Sequence, residues 1–218
     1  TPRITRLIED VNLHQRESFE KIQADTLSPL ARDLTPLLLE ALKGRSHKSS
    51  EEAQAIQTLA TWDFRMDTNS AGAAIFGLCY QSLLEELFLK PLGEELYAGF
   101  AGCFPLSSRV VIRTFLHNDR SWLGSADPKE VLERSFRRGV DRGRSVFGGE
   151  PGKWKWGEVH TAVFKHPVAK RSRFLEALYQ VGPMPLAGAE DTVNCADWSV
   201  SSPFNVLNGV SLRQIVNM

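Results

Sequence analysis

The stretch Asn69-Ser70-Ala71-Gly72-Ala73-Ala74-Ile75-Phe76-Gly77-Leu78-Cys79-Tyr80-Gln81-Ser82-Leu83-Leu84-Glu85-Glu86-Leu87-Phe88-Leu89 decides how the rest of the chain folds. Asn69-Ser70 is a helix-opening pair, because a short polar side chain there can accept from an amide of the first turn. Behind it, Ala73, Ala74 and Gly77 fall among Ile75, Phe76, Leu78, Leu83, Leu84, Leu87 and Phe88. That pattern predicts a helix from about Ala71 to Leu89 with a close-packing side and a bulky side, buried on most faces. Pro91, lacking an amide hydrogen, is expected to end it.

Helices are expected on both sides of this stretch. Ile4, Leu7, Ile8 and Val11 place a first helix between Ile4 and about Ile22, and Leu30, Leu34, Leu37, Leu38 and Leu42 place a second. Ser28 caps the second, Pro29 takes its first turn and Gly44 closes it, while Pro36 argues for a kink or a break. Arg45 to Ser50 reads as a loop. Ser49 or Ser50, followed by Glu51 and Glu52, then opens a helix with Ile56, Leu59, Ala60 and Trp62 on one side. Val110 to Leu116 reads as helix despite the strand preference of Val-Val-Ile. Asp127-Pro128 opens another helix with Val131, Leu132 and Phe136 inward, and Gly143 to Gly152 marks a change of organisation.

Beyond Gly152, Val159, Thr161 and Val163 alternate with His160, Ala162 and Phe164, as in a strand. A short helix is expected at Arg173 to Tyr179 and a turn at Gly182-Pro183-Met184-Pro185. Strands are expected at Thr192 to Trp198 and at Val210 to Val216. The class is α+β, mainly helical. A helical region, 1–150, joins a strand-containing region, 151–218, as parts of one unit rather than independent domains.

The 218 residues carry 26 basic and 26 acidic side chains, so there is no net charge to favour a nucleic acid or an acidic membrane surface. Neither an uninterrupted run of about twenty apolar residues nor the apolar stretch of a secretory signal is visible. Cys79, Cys103 and Cys195 are odd in number and widely spaced, which excludes a zinc-type spacing.

Each chemically suggestive residue has a plainer reading. Thr1 is a nucleophile type used with its own amine as base, but Pro2 and an amphipathic helix follow at once, so it is read as a chain end. His160 and His166 offer a base without a serine or cysteine partner in sequence, and are read as hydrogen-bonded structural groups. His14, His47 and His117 read as surface residues. Arg134, Arg137, Arg138, Arg142 and Arg144 lie within a turn of Glu130, Glu133 and Asp141, the pattern of a solvated, salt-bridged face rather than a phosphate site. Trp154 and Trp156 read as core anchors. Asp63, Asp67 and Asn69 lack the glycine and distal glutamate of a calcium loop. The cysteines read as inert thiols. No catalytic, cofactor-binding or metal-binding residue is assigned.

Three segments in order carry a resemblance. Leu59-Ala60-Thr61-Trp62-Asp63-Phe64-Arg65-Met66-Asp67-Thr68-Asn69-Ser70-Ala71-Gly72-Ala73-Ala74-Ile75-Phe76 is the first. Trp154-Lys155-Trp156-Gly157-Glu158-Val159-His160, continued by Phe164-Lys165-His166-Pro167, is the second. Gly182-Pro183 through Thr192-Val193-Asn194 to Gly209-Val210-Ser211-Leu212-Arg213-Gln214-Ile215-Val216 is the third. Together they resemble the β chain of the penicillin acylase (penicillin amidase) family, which also contains cephalosporin and acyl-homoserine-lactone acylases. Asn217 departs from it, standing where a family member commonly has aspartate.

The resemblance implies an N-terminal-nucleophile hydrolase with an αββα sandwich. In that family a serine released by self-cleavage attacks an amide carbonyl, and the reaction runs through an acyl-enzyme. The serine, the oxyanion-hole groups and most calcium ligands precede the segment that corresponds to this chain, so none is carried over. The chain is then expected to be a helical excursion plus a partial β-sheet, inactive alone. Its implied partners are the remainder of the β chain, the α chain and a small-molecule amide substrate, with no nucleic acid and no membrane. Calcium is allowed for the parent, and a periplasmic or secreted location is expected for it. Strands lacking their neighbours would make self-association a hazard. The alternative is a free-standing helical interaction module without catalysis.

Overall fold

The computed structural model describes residues 2–44, 49–102, 107–168, 172–210 and 212–216. Thr1, His47, Cys103 and Asn217 lie outside the described residues, as does most of the expected loop at Arg45 to Ser50.

The helix expected from Ile4 to Ile22 is two, α1 (Pro2–Glu9) and α2 (Arg16–Gln23). The apolar periodicity lapses after Val11, and Gln15 N–H donates to Ser18 Oγ at 3.0 Å, starting a new helix. Next comes α3 (Pro29–Leu42), whose cap Ser28 accepts from Ala31 N at 2.9 Å. Gly44 follows the C-cap Lys43 at φ +69°, a conformation that suits glycine. Pro36 does not break α3. Leu30, Ala31, Leu34, Leu38, Ala41 and Leu42 are buried on both sides of it, so packing carries the helix across the missing hydrogen bond.

In α4 (Ser50–Ala60), capped by Ser49, Ala55 and Leu59 face the core; Ala60, expected inward, is exposed. Ser70 Oγ accepts from Ala73 N at 3.2 Å to open α5 (Ala71–Gly102). This element does not stop before Pro91. It continues to an interruption at Gly93, where φ 74° and ψ 168° leave the helical region. Length and composition alone would let residues 71–101 cross a membrane, but 78% of the most apolar window is buried inside the fold.

After α6 (Ser107–Leu116), α7 (Pro128–Phe147) starts at Asp127, which accepts from Lys129 N at 2.9 Å, and buries Val131, Leu132 and Phe136. Gly143, read as the start of the change of organisation, lies inside α7. Its role is close approach: a Cβ there would stand 2.1 Å from the Trp154 ring. The helix ends at Gly148, φ +90°.

Residues Trp156–Val159 form a turn of helix, α8, so the strand expected from Val159 to Phe164 begins two residues later, as β1 (Thr161–Phe164). The helix α9 (Arg173–Tyr179) follows, capped by Ser172. Gly182-Pro183-Met184-Pro185, read as a turn, belongs to strand β2 (Val181–Pro185). It is an edge strand, where missing amide hydrogens are tolerated. The expected strand at Thr192 to Trp198 shrinks to β3 (Ala196–Ser199), and 212–216 has no regular structure. The strand not foreseen is β4 (Ser202–Gly209), whose serine, proline, asparagines and glycine read as turn residues.

The sheet order is β2-β1-β4-β3, with β1 parallel to β4 and the other neighbours antiparallel. Thr161 lies opposite Pro185 and Ala162 opposite Met184. The fold is α+β and mainly helical, and one apolar core runs from Leu34 and Leu59 through Phe76, Leu84 and Phe136 to Trp156, Trp198 and Phe204.

Candidate functional site

Between β2 and β3 the chain passes through Leu186 to Cys195 without regular structure, yet backbone hydrogen bonds hold it to three parts of the fold. Leu186 N–H donates to His160 O at 3.0 Å, Gly188 N–H to Met66 O at 2.7 Å and Asn194 N–H to Asp25 O at 2.9 Å. Trp156 Nε1 donates to Gly188 O at 3.1 Å. Thr192 Oγ accepts from Ala189 N at 3.0 Å and donates to Asn194 O at 2.7 Å, tightening the loop on itself. Gly188, at φ +99°, has no room for a side chain: a Cβ would lie 1.9 Å from Asn194 O.

This loop turns two carboxyls inward. Asp191 Oδ2 accepts from Ser28 Oγ and from Leu30 N, each at 2.8 Å, so it sits at the positive end of α3. Burial raises its pKa, and these two hydrogen bonds pull the other way. Glu190 Oε1 accepts from Tyr80 OH at 3.3 Å. Burial first, then the neighbouring Asp191 and Asp197, push the Glu190 carboxyl up to about 7, with the hydroxyls of Ser108 and Tyr80 opposing. Tyr80, buried and facing Glu190, is held well above its ordinary value, and burial also raises Asp197 and Cys195.

A carboxyl that titrates near neutrality can donate or accept a proton at working pH. The space beside it limits what it can reach. A cavity of about 20 Å³ lies among Ser28, Tyr80, Trp156, Glu190 and Trp198, room for roughly one water molecule. Glu190 can exchange a proton with a neighbour or a water there, but no substrate fits.

Of the residues weighed from sequence, Trp156 lines this cavity and Cys195 belongs to the loop, while the others fall elsewhere. His160 is fully buried, stacked on Trp156 at 4.4 Å, with Nδ1 2.8 Å from Leu186 O and Nε2 3.3 Å from Ala196 O. Burial lowers its pKa. His166 accepts from Val168 N at 3.2 Å on the surface, and His117 is exposed. His14 Nδ1 lies 3.0 Å from Ser18 Oγ, but that hydroxyl also contacts Gln15 O at 2.6 Å and belongs to the start of α2. Trp154 and Trp156 are core residues. Asp63 and Asp67 accept from Arg65 N and Thr26 Oγ, respectively. Cys79 is buried, which raises its thiol pKa.

The arginine face is salt-bridged, with more of its partners across the helix pair than expected. Arg134 and Arg138 reach Glu86 at 3.2 and 2.8 Å, and Arg142 reaches Glu85 at 2.5 Å, all from α7 to α5. Arg137 and Arg144 pair within α7, with Glu133 and Asp141. Tyr80, Glu190 and Asp191 were not singled out from sequence. The available signal was an adjacent acid pair between the apolar Leu186-Ala187-Gly188-Ala189 and the Thr192-Val193-Asn194 of the third family-like segment.

The model of the penicillin amidase family matches residues 1–218. An acyl-homoserine lactone acylase QuiP from Pseudomonas fluorescens (strain Pf0-1) is 26% identical over 178 residues, covering 77% of this chain and 21% of the relative. The protein of the same name from Pseudomonas aeruginosa PAO1 is 22% identical over 246 residues, covering 99% of this chain and 29% of the relative. That from Pseudomonas putida KT2440 is 25% identical, covering 94% and 27%. The chain thus spans under a third of the length of these curated relatives.

Proposed function

The chain belongs to the penicillin amidase family, and from that premise we propose that it is a supporting part of a longer acylase that cleaves the amide bond of acylated small molecules, acyl-homoserine lactones foremost. The observation that carries the reading is the family match along the whole chain. In this reading the region contributes no nucleophile and is inactive alone. In support, Ser28, Thr192, His160 and Asp191 are committed to internal hydrogen bonds.

The remainder of the β chain and the α chain would meet it on exposed apolar side chains such as Phe164, Phe174, Leu178 and Val181. The parent would work in the periplasm or outside the cell. Calcium, in this reading, is held elsewhere in the parent; among the described residues no group of three or more His, Cys, Asp and Glu side chains is placed to hold a metal.

The test is hydrolysis of a chromogenic phenylacetyl amide and of an acyl-homoserine lactone, by the chain alone and by the chain joined to its parent's remaining sequence. Turnover is expected only in the second case. Burst release by the chain alone, lost in Thr1→Ala, would overturn the reading. A second reading, a free-standing module without catalysis, draws on the single core that joins helices and sheet. A folded, monomeric chain that unfolds cooperatively, whose joined form shows no turnover, would favour it.

A further inference from the structure

A cleft of about 790 Å³ opens between α5, just before its interruption at Gly93, residues 120–126 and the start of α7. That is the size of a site for a small organic molecule. Leu87, Leu123 and Val131, all buried, give it an apolar floor. Trp122 stands beside them, its ring centroid 4.9 Å from that of Phe88. The segment that carries Trp122 is pinned, because Asp119 accepts from Ser121 N and Ser121 Oγ, and Arg120 donates to Ala126 O at 2.9 Å.

Charge at the mouth of the cleft does not cancel. Arg134, Arg138 and Arg142 are matched by Glu85, Glu86 and Glu130. Lys90, exposed and lining the cleft, forms no ion pair among the described residues. Glu94, four residues on, would be its helical partner, but the backbone leaves helical geometry at Gly93 between them. Ser125, also lining the cleft, has a hydroxyl without a hydrogen-bond partner among the described residues.

We propose that this cleft binds an amphiphilic monocarboxylate, its apolar body on Leu87, Trp122, Leu123 and Val131 and its carboxylate on Lys90 Nζ and Ser125 Oγ. One unmatched cation suits a single negative charge, and the apolar floor gives nothing to a small hydrated anion. An acid of this kind is what cleavage of an acyl amide releases, a link that rests on the acylase reading; the site itself does not.

The test is labelling of Lys90 by an amine-reactive ester in the full-length protein, read by peptide mass spectrometry with octanoate, 1-octanol or acetate present. At about ten times its dissociation constant, octanoate should slow the labelling of Lys90 about tenfold by mass action and leave exposed Lys129 unchanged. Half-protection by 1-octanol should need about tenfold more ligand, for want of one charge-assisted hydrogen bond, and Ser125→Ala should weaken octanoate about threefold. Acetate should not protect. Lys90 left unprotected by octanoate, equal protection by 1-octanol or acetate, slowing of Lys129 alongside Lys90, or an unmoved half-point in Ser125→Ala would each overturn the proposal. None of these readouts uses turnover, so the site and the acylase reading fail separately.

Discussion

Trp62 sits just past the end of α4, where its indole closes one end of the core. Its ring centroid lies 5.6 Å from those of Phe64 and Phe76, and Nε1 donates to Arg65 O at 3.1 Å. Gly72 is the floor beneath it, since a Cβ there would stand 2.2 Å from the ring. Trp62→Ala is expected to cost about 3 kcal/mol, most of it lost packing, read as a lower denaturant midpoint at unchanged slope. A midpoint within error of wild type would mean that the ring packs nothing. Trp62 could be singled out from sequence because its partner Phe76 follows the cap that opens α5. His160 could not be placed, because the carbonyls that hold it, Leu186 O and Ala196 O, come from a loop and a strand far along the chain.

At the scale of elements, α5 and α7 form the central pair, and Gly139 sets their separation. A Cβ on Gly139 would lie 2.7 Å from Cys79 N and 2.8 Å from its Cα, both backbone atoms that cannot turn aside. Gly139→Ala should therefore push the helices apart and cost about 1–3 kcal/mol, whereas Gly152→Ala, with its nearest contact 3.4 Å away on a side chain, should cost little. Thermal unfolding of the two variants compares them directly, and equal melting temperatures would refute the close approach. Helix starts were legible because caps are local: Ser28, Ser49, Ser70, Asp127 and Ser172 each accept an amide of the turn they open. Stops were less so. Pro36 is overridden by the burial around it, while α5 runs past Pro91 and Gly93 supplies the interruption that the proline was expected to make.

For the whole molecule, Glu190 and the buried His160 tilt stability with pH in opposite senses. Glu190 is raised from 4.5 to about 7 in the folded state, so its contribution is fully present below 4.5 and lost as pH rises through 7, at most about 3 kcal/mol. His160 is lowered from 6.5, so its contribution is present above 6.5 and lost as pH falls below it. Glu190→Gln should then stabilise the protein at pH 8 and change little at pH 4.5, as urea midpoints at the two pH values would report. The same gain at both would exclude titration of Glu190 as the cause. The helical majority was legible from periodicity and caps, while the sheet order was not: β1 pairs in parallel with β4 across some forty residues, and no local turn announces such a partnership.

The register of β2 carries a last consequence. Leu186 N–H points at His160, so the alternation of an antiparallel ladder turns the nitrogen of Pro185 the opposite way, while Pro183 falls at the register shift opposite Ala162 to Phe164. The outer rim of β2 has no hydrogen to offer at Pro185, and Pro183 has none to offer on either side. A foreign strand laid along it would find half a zipper, so fibre-like stacking is discouraged on that side, and whatever joins this protein must press on its faces instead of lengthening its sheet there.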